Sequence, residues 1–342
     1  MAAAPHPGPW AAYRLRWKRR RLLWRGFRKR RQIVAVADRT RAIVPGAVLC
    51  FAVVRNEALR LPYWLEHHRR LGVGHFLIVA QDCTDGTQAM LEAARDVSVW
   101  STGAGYRQSR FGADWLNRLL SRYGRGHWCL TLDADELFVY PHCDGRDLSA
   151  LTAFLDARGQ VSMGATMLDL YPRGRLESGR YVAGQDPVEV LTHFDAWGHV
   201  VERQLPMENL WLRGGPRARA FFAERPLRAP TLNKVPLVRW RRGYVYVNST
   251  HSVLPRPLNR VYDGPGHRAT TGALLHTKFL PGIAARSAEE KRRGEHFGRP
   301  ADFDRYYDGL IADPLLWTPD SVAYDGWRQL ERLGLISRGA WT

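Results

Sequence analysis

Apolar and polar segments alternate regularly along the first half of the chain. Four continuous apolar runs have the length and composition of strands that are buried on both faces of a sheet: 47–54, 75–80, 97–100 and 127–133. Three segments between these runs have apolar residues at helical spacing: 59–72, 85–95 and 111–124. This order predicts right-handed βαβ units and an α/β fold with a doubly wound, mostly parallel sheet.

The second half of the chain has a weaker pattern. Further strands are predicted at 161–168, 235–240, 244–248 and 272–279. The stretch 171–230 is rich in Gly, Pro and Arg and has no clear period, and the tail, including 323–335, is predicted to be helical. We therefore divide the chain into a basic segment at 1–45, an α/β domain at 46–285 and a C-terminal helical extension at 286–342.

Positive charge is concentrated near the N-terminus. The 342 residues include 51 Lys and Arg against 33 Asp and Glu, which gives a formal net charge of +18. Eleven of the basic residues lie within 14–31, where there is no acid, and without them the net charge is +7. A charge of this kind favours anionic partners, namely nucleotides, phosphorylated lipids, membrane surfaces or nucleic acid.

Aromatic residues recur within this basic segment. Trp10, Tyr13, Trp17, Trp24 and Phe27 are three, four or seven residues apart, so on a helix they form one stripe. An aromatic face next to a cationic face is typical of a helix that lies on an anionic membrane surface. The alternatives are that this amphipathic helix packs on the domain with its arginines solvated, or that it binds nucleic acid.

The chain is predicted to be cytoplasmic, at most peripheral on the inner face of a membrane. None of the four cysteines forms a C-x-x-C pair, which favours reduced thiols. No apolar run reaches the ~18 residues that a membrane-spanning helix needs. The apolar run at 33–37 is shorter than the core of a signal peptide, so secretion is not expected.

Three polar clusters follow predicted strands directly: 55–57, 81–87 and 133–136. Ligands of open α/β sheets bind outside the carboxyl ends of the strands, so these clusters predict a single site. Asp133 and Asp135 are two residues apart, and in extended backbone they share one face, at about 6–7 Å between Cα atoms. Their carboxylates can therefore approach one hard cation such as Mg²⁺ or Mn²⁺, which leaves ligand positions for a diphosphate.

At this point the residues resemble a known family. The segments "VVRNEALRLPYWLEHHRRLGVGHFLIV", "DCTDGT" and "WCLTLDADELFVYP", followed by "KVPLVRW", "STH" and "TGALLHTKFL", are together similar to the family 2-like glycosyltransferases and cover roughly 47–280. The resemblance implies a GT-A fold with its acceptor side in the irregular region. It also implies a nucleotide-sugar donor, a divalent cation held by the D-x-D carboxylates and usually inversion at the anomeric carbon.

The resemblance assigns roles to particular residues. Asp133 and Asp135 match the metal-binding D-x-D, with Asp133 also close to the donor. Asp82 and Asp85 match acidic positions that help to hold the nucleoside. The turn that flanks the base is matched by Arg55, Asn56 and Glu57.

The chain departs from the family at one point. Relatives usually have Asp–Asn where this chain has Ala80–Gln81. The departure concerns recognition of the base, so a UDP-sugar is only weakly favoured as the donor.

Single displacement also needs a carboxylate base near the acceptor hydroxyl. Asp169, Asp195 and Glu202 are the candidates, and each also suits a helix cap or a surface salt bridge. His276 is either a third metal ligand or a hydrogen-bonded core histidine, and Lys278 is a candidate for diphosphate binding. For His251 the core interpretation is preferred.

We therefore predict a Mn²⁺- or Mg²⁺-dependent glycosyltransferase that moves a sugar from a nucleotide-sugar to a glycan or lipid-linked acceptor. The alternatives are a basic nucleic-acid-binding protein, although no motif for nucleic acid is present, and a catalytically inactive sugar-binding relative.

Overall fold

The structure, a computed structural model, describes residues 8–261, 269–294 and 300–342. Parts of the three predicted regions, namely 1–7, 262–268 and 295–299, lie outside the described residues.

A nine-stranded sheet forms the centre of the described chain. Its order is β1-β4-β3-β2-β5-β11-β7-β14-β6. The strands are β1 Val34–Ala37, β2 Val48–Val54, β3 Val73–Gln81, β4 Val97–Thr102, β5 Trp128–Thr131, β6 Glu136–Val139, β7 Ser162–Asp169, β11 Asn233–Arg239 and β14 Gly272–His276. Six of them (β2, β3, β4, β5, β7 and β14) run in one direction, and β1, β6 and β11 run in the other.

Three two-stranded sheets lie outside the central one. They pair β9 Val200–Gln204 with β10 Asn209–Arg213, β12 Val245–Tyr246 with β13 Val253–Leu254, and β8 His193–Phe194 with β15 Val322–Ala323.

The α-helices of the described residues pack on both faces of the sheet. They are α1 Pro9–Lys29, α2 Leu61–Arg70, α3 Thr87–Ala93, α4 Ala113–Tyr123, α5 Leu148–Ala157, α6 Gly215–Phe221, α7 Ile283–Arg293, α8 Pro300–Ile311 and α9 Trp327–Arg332.

Alternation of side chains along the strands supplies two hydrophobic cores. On β2, Cys50 and Ala52 face the core that contains Trp64 of α2, while Leu49 and Phe51 face the core that contains Trp115 of α4. Burial on both faces explains why the strands are continuously apolar. The predicted fold class, an α/β doubly wound and mostly parallel sheet with an irregular region and terminal helices, is confirmed.

Helix α1 forms an outer layer on α4. Leu22 is buried, and a side chain at Gly26 would meet the backbone of α4 at Asp114 and Arg118. Arg25 donates hydrogen bonds to the Asp114 carboxylate at 2.9 and 3.1 Å. The basic segment is therefore joined to the domain by one face of its helix, and β1, which follows it, pairs with β4.

The aromatic stripe lies on the opposite face of α1. Trp10, Tyr13, Trp17, Trp24 and Phe27 are all exposed, Trp10 by 78%. The helix therefore does pack on the domain, as one alternative held, but it does so through Leu22, Gly26 and Arg25 and not through the aromatic stripe.

Most predicted elements of the first half are confirmed to within a few residues. The strand predicted at 127–133 is β5, and after a turn at 132–135 the chain forms a further strand, β6, that was not predicted. Several elements between 136 and 230 were not predicted, including α5, the β9–β10 hairpin and α6. All four cysteines are free, as predicted.

Histidine burial leads to a testable dependence of stability on pH. Burial lowers the pKa of six histidines: His67, His68, His75, His193, His199 and His251. The stability contributed by a histidine that folds in its neutral form is complete above its unfolded pKa of about 6.5 and is lost as the pH falls below it. We expect the free energy of unfolding, from urea titrations, to fall between pH 7 and pH 5 by up to about 1.4 kcal/mol per pH unit for each such residue.

His68 provides the matched variant. Its ring is fully buried, its Nδ1 lies 2.8 Å from the Trp64 carbonyl, and its Nε2 accepts from the Phe138 N–H at 3.3 Å. Because an amide does not titrate, His68→Gln is expected to show a shallower slope than the wild type over the same interval. A wild-type protein as stable at pH 5 as at pH 7 would contradict this account.

Candidate active site

The three predicted polar clusters lie at the carboxyl ends of β2, β3 and β5. Two further strands run in the same direction and end in polar residues, β7 at Asp169 and β14 at His276. Five strand ends therefore bring ionisable side chains to one edge of the sheet, which is the edge at which open α/β sheets bind ligands.

The acidic turn at 132–135 is compensated by a lysine from a different strand. Lys234 of β11 is buried, and its Nζ donates to Asp133 Oδ2 at 2.6 Å and to a carboxylate oxygen of Glu136. Glu136 is fully buried, whereas the Asp133 side chain is 48% exposed. Burial lowers the pKa of Lys234, but the two carboxylates outweigh it and raise the pKa above its ordinary value. The buried charge of this segment is thus paired, as it must be.

Strand register places His276 opposite an acidic residue on each of its two neighbouring strands. Its neighbours across the sheet are Glu136 of β6 and Asp169 of β7. Its Nδ1 lies 2.5 Å from Asp169 Oδ1, and its Nε2 lies 3.1 Å from Asp135 Oδ2. Burial lowers the pKa of His276, but Asp135 and Asp169 outweigh this effect and raise it overall.

Asp169 lies behind the histidine and is fully buried. One carboxylate oxygen contacts His276, and the other accepts from Arg217 Nε at 2.7 Å. Burial raises the pKa of Asp169, but the positive charges of Arg217 and His276 lower it overall. The result is a continuous polar chain from Asp135 through His276 and Asp169 to Arg217.

Positive charge surrounds Asp135. Burial raises its pKa, but His276, Arg60 and Lys278 outweigh burial and hold the pKa well below its usual range. The Asp135 carboxylate also acts on Arg286, which comes from the C-terminal helix α7. Four cationic groups, His276, Arg60, Lys278 and Arg286, therefore interact with the Asp135 carboxylate, and Glu57 is a second carboxylate beside Arg60.

Several of these cationic side chains have N–H groups without a hydrogen-bond partner. Arg60 Nε, Arg217 Nη2 and Arg286 Nε are buried and have no hydrogen-bond partner among the described residues. Lys278 is half-buried, and its ammonium forms no hydrogen bond or ion pair with another of the described residues. Buried donors without partners are costly, so the cluster has the character of a site for an anion with several oxygens.

The loops after β2 and β3 are bound to each other. Asn56 accepts from the Thr84 N–H at 2.8 Å, and Asp85 accepts from the N–H groups of Ala58 and Thr87, both at 3.0 Å. Asn56 has a φ of 51°, in the left-handed region that Asn adopts more readily than most residues. Asp85 therefore links the two loops, while Asn56 shapes the first of them.

The remaining predicted residues of this edge differ in exposure. Arg55 contacts Glu289 of α7 at 3.0 Å and Asp82 at 3.8 Å, and the Asp82 side chain is 59% exposed. Glu57 accepts from Arg60 at 2.6 Å. Helix α7 thus closes one side of the edge, and Asp82 is open to solvent.

Two candidate bases lie in the irregular region. Asp195 accepts from Arg219 at 3.0 and 3.2 Å and from the Tyr171 hydroxyl, and its side chain is 13% exposed. Glu202 lies on the β9–β10 hairpin, is 51% exposed and pairs with Arg213 at 3.0 Å. The structure does not bring either carboxylate into direct contact with the Asp135–His276–Asp169 chain.

His199 is a further ionisable group of this region. Burial lowers its pKa, and its Nε2 is buried without a hydrogen-bond partner among the described residues. A side chain at Gly214 would clash with His199, and one at the adjacent Gly215 would approach Asp169 Oδ2 at 3.7 Å. The imidazole therefore lies close to the Asp169 side of the site.

The side chains of this site supply only some of the ligands that a metal ion needs. No group of three His, Cys, Asp or Glu side chains within the described ranges is arranged to hold a metal. Asp135 and His276 do present one oxygen and one nitrogen to the same space, and the His276–Asp169 contact is the kind of support that metal-ligating histidines have. Asp133, in contrast, is engaged by Lys234.

Sequence reasoning missed four cations of this site: Arg60, Arg217, Lys234 and Arg286. Lys234 directly precedes the strand predicted at 235–240, within the segment "KVPLVRW", but nothing in the local sequence links it to the acidic turn. The three arginines are indistinguishable in sequence from the many other arginines of this chain. His251, for which a core role was preferred, donates a hydrogen bond from its Nδ1 to the Asn233 carbonyl oxygen at 2.7 Å.

No helix of the described residues is long and apolar enough to cross a membrane.

Comparisons with known proteins gave similarity at the level of structure alone. No protein-family model matches the chain, and no curated protein matches it. The crystal structure of S. aureus TarS aligns with 40% of this chain and 23% of its own at 16% identity, with a TM-score of 0.27. The crystal structure of 4-diphosphocytidyl-2C-methyl-D-erythritol synthase aligns with 41% of this chain and 68% of its own at 18% identity, with a TM-score of 0.24. The chain therefore spans less than a quarter of the length of TarS, and an assignment of function depends on the site.

Removal of the Lys234 ammonium tests whether it holds the acidic turn together. Lys234→Met leaves two carboxylates without their shared partner, one of them buried, so we expect the free energy of unfolding to fall by about 3–5 kcal/mol in urea titrations. Lys234→Met combined with Glu136→Gln should recover much of this loss, because the buried charge is then absent.

Lys291 is the matched control for this substitution. Its ion pair with Asp308 at 2.5 Å is exposed, so Lys291→Met should cost less than about 1 kcal/mol. Equal costs for the two lysines would show that the Lys234 pair does not support the fold.

Proposed function

We propose that this protein is a metal-dependent glycosyltransferase of GT-A type that takes its sugar from a nucleotide-sugar donor. The observation that supports this most is the carboxylate–histidine–carboxylate chain Asp135–His276–Asp169, which ends among cations with unused donors. An oxygen and a nitrogen ligand beside a cluster of guanidinium groups suit a divalent cation together with a diphosphate.

The diphosphate is proposed to occupy the space beside Asp135. Arg60, Lys278 and Arg286 face this carboxylate, and their unused N–H groups match the several oxygens of a diphosphate. Arginine and lysine stabilise the charge that develops on such a leaving group when its bond to the sugar breaks. Lys278 is the most adaptable of the three, because its ammonium is not engaged by another described side chain.

The cation, Mn²⁺ or Mg²⁺, is proposed to be held by Asp135 and His276. When bound, it would supply Lewis-acid stabilisation of the leaving diphosphate. Asp169 holds the His276 ring in place through Nδ1 and is itself held by Arg217. Asp133 is proposed to join the cation or the donor, and Lys234 then retains its contact with Glu136.

The nucleoside is proposed to lie between the loops after β2 and β3. Asp85 and Asn56 keep these loops at a constant separation, and Arg55 and Asp82 line their open side. Gln81, one of the two residues where the chain departs from the related family, is buried and donates to the Ala104 carbonyl at 3.5 Å. A uridine donor is therefore the first to test, together with other nucleotides.

Inverting transfer is proposed to use a carboxylate base from the irregular region. Among the predicted candidates, Asp169 has both oxygens engaged and no exposed area. Asp195 also has both oxygens engaged, by Arg219 and the Tyr171 hydroxyl, but its side chain is 13% exposed, which makes it the preferred candidate over Asp169. Glu202 lies on an exposed hairpin.

Substitution of the proposed cation ligands tests the function directly. Asp135→Asn and His276→Ala should each lower Mn²⁺-dependent turnover of the donor by at least about 100-fold, since a bound cation supplies several kcal/mol of charge stabilisation. Asp169→Asn should weaken Mn²⁺ binding by about 10–100-fold through loss of support for the imidazole. The measurements are hydrolysis of a panel of UDP-, GDP- and CMP-sugars, and Mn²⁺ titration.

The exposed Asp325 gives a neutral control, so Asp325→Asn should match the wild type in both measurements. Full activity in EDTA would rule out the metal. Binding of nucleotide-sugars without hydrolysis or transfer to any acceptor would favour the inactive sugar-binding alternative.

The acceptor is proposed to be a glycan or a lipid-linked glycan at an anionic membrane surface. The aromatic stripe of α1 faces solvent and is flanked by arginines, and the opposite face of the helix holds it on the domain. A helix with this arrangement binds the headgroup region of a bilayer while the domain stays in water. Each basic residue near an anionic leaflet adds about 1 kcal/mol.

Loss of the aromatic side chains tests the membrane contact without disturbing the fold. Trp10→Ser, Trp17→Ser and Trp24→Ser together should reduce co-sedimentation with phosphatidylcholine–phosphatidylglycerol vesicles at least roughly tenfold, because apolar burial at the interface is lost. Trp197→Ser removes an equally exposed tryptophan (60%) outside α1 and should have no effect. Unchanged co-sedimentation of the triple variant would show that the stripe does not bind the membrane. Tight binding of RNA or DNA by a protein that does not bind vesicles would favour the nucleic-acid alternative.

A further inference from the structure

A small cavity lies on the outer layer of the domain, away from the proposed donor site. Its volume is about 200 Å³, and it lies between the end of α1, the middle of β4 and the second half of α4. Helix α4 leads into the amino end of β5, so this cavity is near the amino edge of the sheet, whereas the donor site is at the carboxyl edge.

The walls of the cavity carry three arginines and no acid. Arg30, Arg118 and Arg122 line it together with the rings of Trp100 and Tyr123, whose centroids lie 5.5 Å apart. Ile33 and Leu119 complete an apolar floor. The cavity therefore combines apolar and aromatic side chains with three guanidinium groups.

The positive charge of the rim is not compensated by the protein. Burial lowers the pKa of Arg118, and the charges of Arg122 and Arg30 lower it further, which means that the Arg118 guanidinium is repelled by the other two. Arg118 forms no hydrogen bond or ion pair within the described ranges, and Arg122 has only its contact with the Tyr123 ring, at 5.7 Å. Arg30 donates to the Phe27 carbonyl at 3.0 Å.

We propose that this cavity binds a phosphate group, and that the phosphate belongs to an anionic phospholipid headgroup. Guanidinium groups bind phosphate oxygens in pairs and are the preferred side chains for this task. An anion between the three arginines would replace their mutual repulsion by attraction. A volume of about 200 Å³ holds a phosphate with a small polar substituent.

The position of the cavity favours a lipid as the source of the phosphate. The Arg30 guanidinium lies 3.9 Å from the centre of the Phe27 ring, and Phe27 is the last residue of the exposed aromatic stripe. A helix that inserts this stripe into a membrane surface brings the cavity to the level of the headgroups. This step depends on the proposed membrane contact of α1, whereas binding of phosphate by the three arginines does not.

The test uses the full-length protein with Arg118→Gln and Arg122→Gln combined. Arg305→Gln and Arg332→Gln combined form the control, because both are exposed residues outside α1 and outside the cavity and the change in net charge is the same. The first arm measures the shift in melting temperature on addition of inorganic phosphate, against sodium chloride of equal ionic strength. The second arm measures co-sedimentation with phosphatidylcholine vesicles that contain phosphatidylglycerol.

The proposal expects phosphate to raise the melting temperature of the wild type and of the control pair, but not that of the cavity variant. It also expects the cavity variant to lose roughly tenfold or more in vesicle binding, and the control pair clearly less. Equal losses for the two variants would overturn the proposal, since general electrostatics would then explain them. A phosphate effect at the cavity with no change in vesicle binding would assign the site to a free phosphate compound and overturn the lipid assignment.

Failure of this inference is distinguishable from failure of the proposed enzyme. Hydrolysis of nucleotide-sugars depends on the opposite edge of the sheet and should be the same in the cavity variant and the wild type. A wild type that responds to neither phosphate nor vesicles would reject the cavity, whatever the outcome of the hydrolysis assay.

Discussion

The candidate site depends on one buried ammonium group. Three carboxylates occur within four residues after β5, and one of them, Glu136, is fully buried. Such a segment is stable only if its charge is paired, and Lys234 supplies the partner from the neighbouring strand β11 by contacting both Asp133 and Glu136. Because these residues lie about 100 positions apart in the chain, the pair also joins the βαβ half of the fold to the strands that follow the irregular region.

Pairing at Lys234 leaves Asp135 for a different set of contacts. The backbone turns after β5, so that Asp135 faces His276 at the end of β14 while Asp133 faces β11. Register then aligns His276 with Asp169, and Asp169 with Arg217 of α6. Each member of this chain is oriented by the next, which is how proteins hold a ligand-binding imidazole in one position. Arg60 and Arg286 each have a buried Nε without a hydrogen-bond partner among the described residues, and on these the proposed anion site depends.

The large positive charge of the protein has at least two separate locations. One is the group of cationic side chains near Asp135 at the carboxyl edge of the sheet, where the charges are largely buried and partly paired with carboxylates. The other is α1, where the packed face is small and aliphatic, the solvent face is aromatic and the flanks are basic. The arginine-lined cavity lies where α1 meets α4, so it connects the proposed membrane-facing surface to the outer layer of the domain. Net charge alone would not separate these roles, because it sums over all of them.

The sequence by itself determined the fold class, the strands and helices of the first half, and the edge at which polar residues gather. Continuous apolar runs and helical spacing are local patterns, so they could be recognised within segments of about ten residues. It did not determine that the run 128–140 is two strands, because an apolar stretch does not show where the backbone turns. It also left the surroundings of Asp135 undefined. Lys234 contacts Asp133, Arg217 contacts Asp169, and Arg286 lies near Asp135, and each comes from an element that is distant in sequence. Only strand order and register decide which of the 51 basic residues lie there. Contacts between distant segments depend on packing, and no local pattern records them.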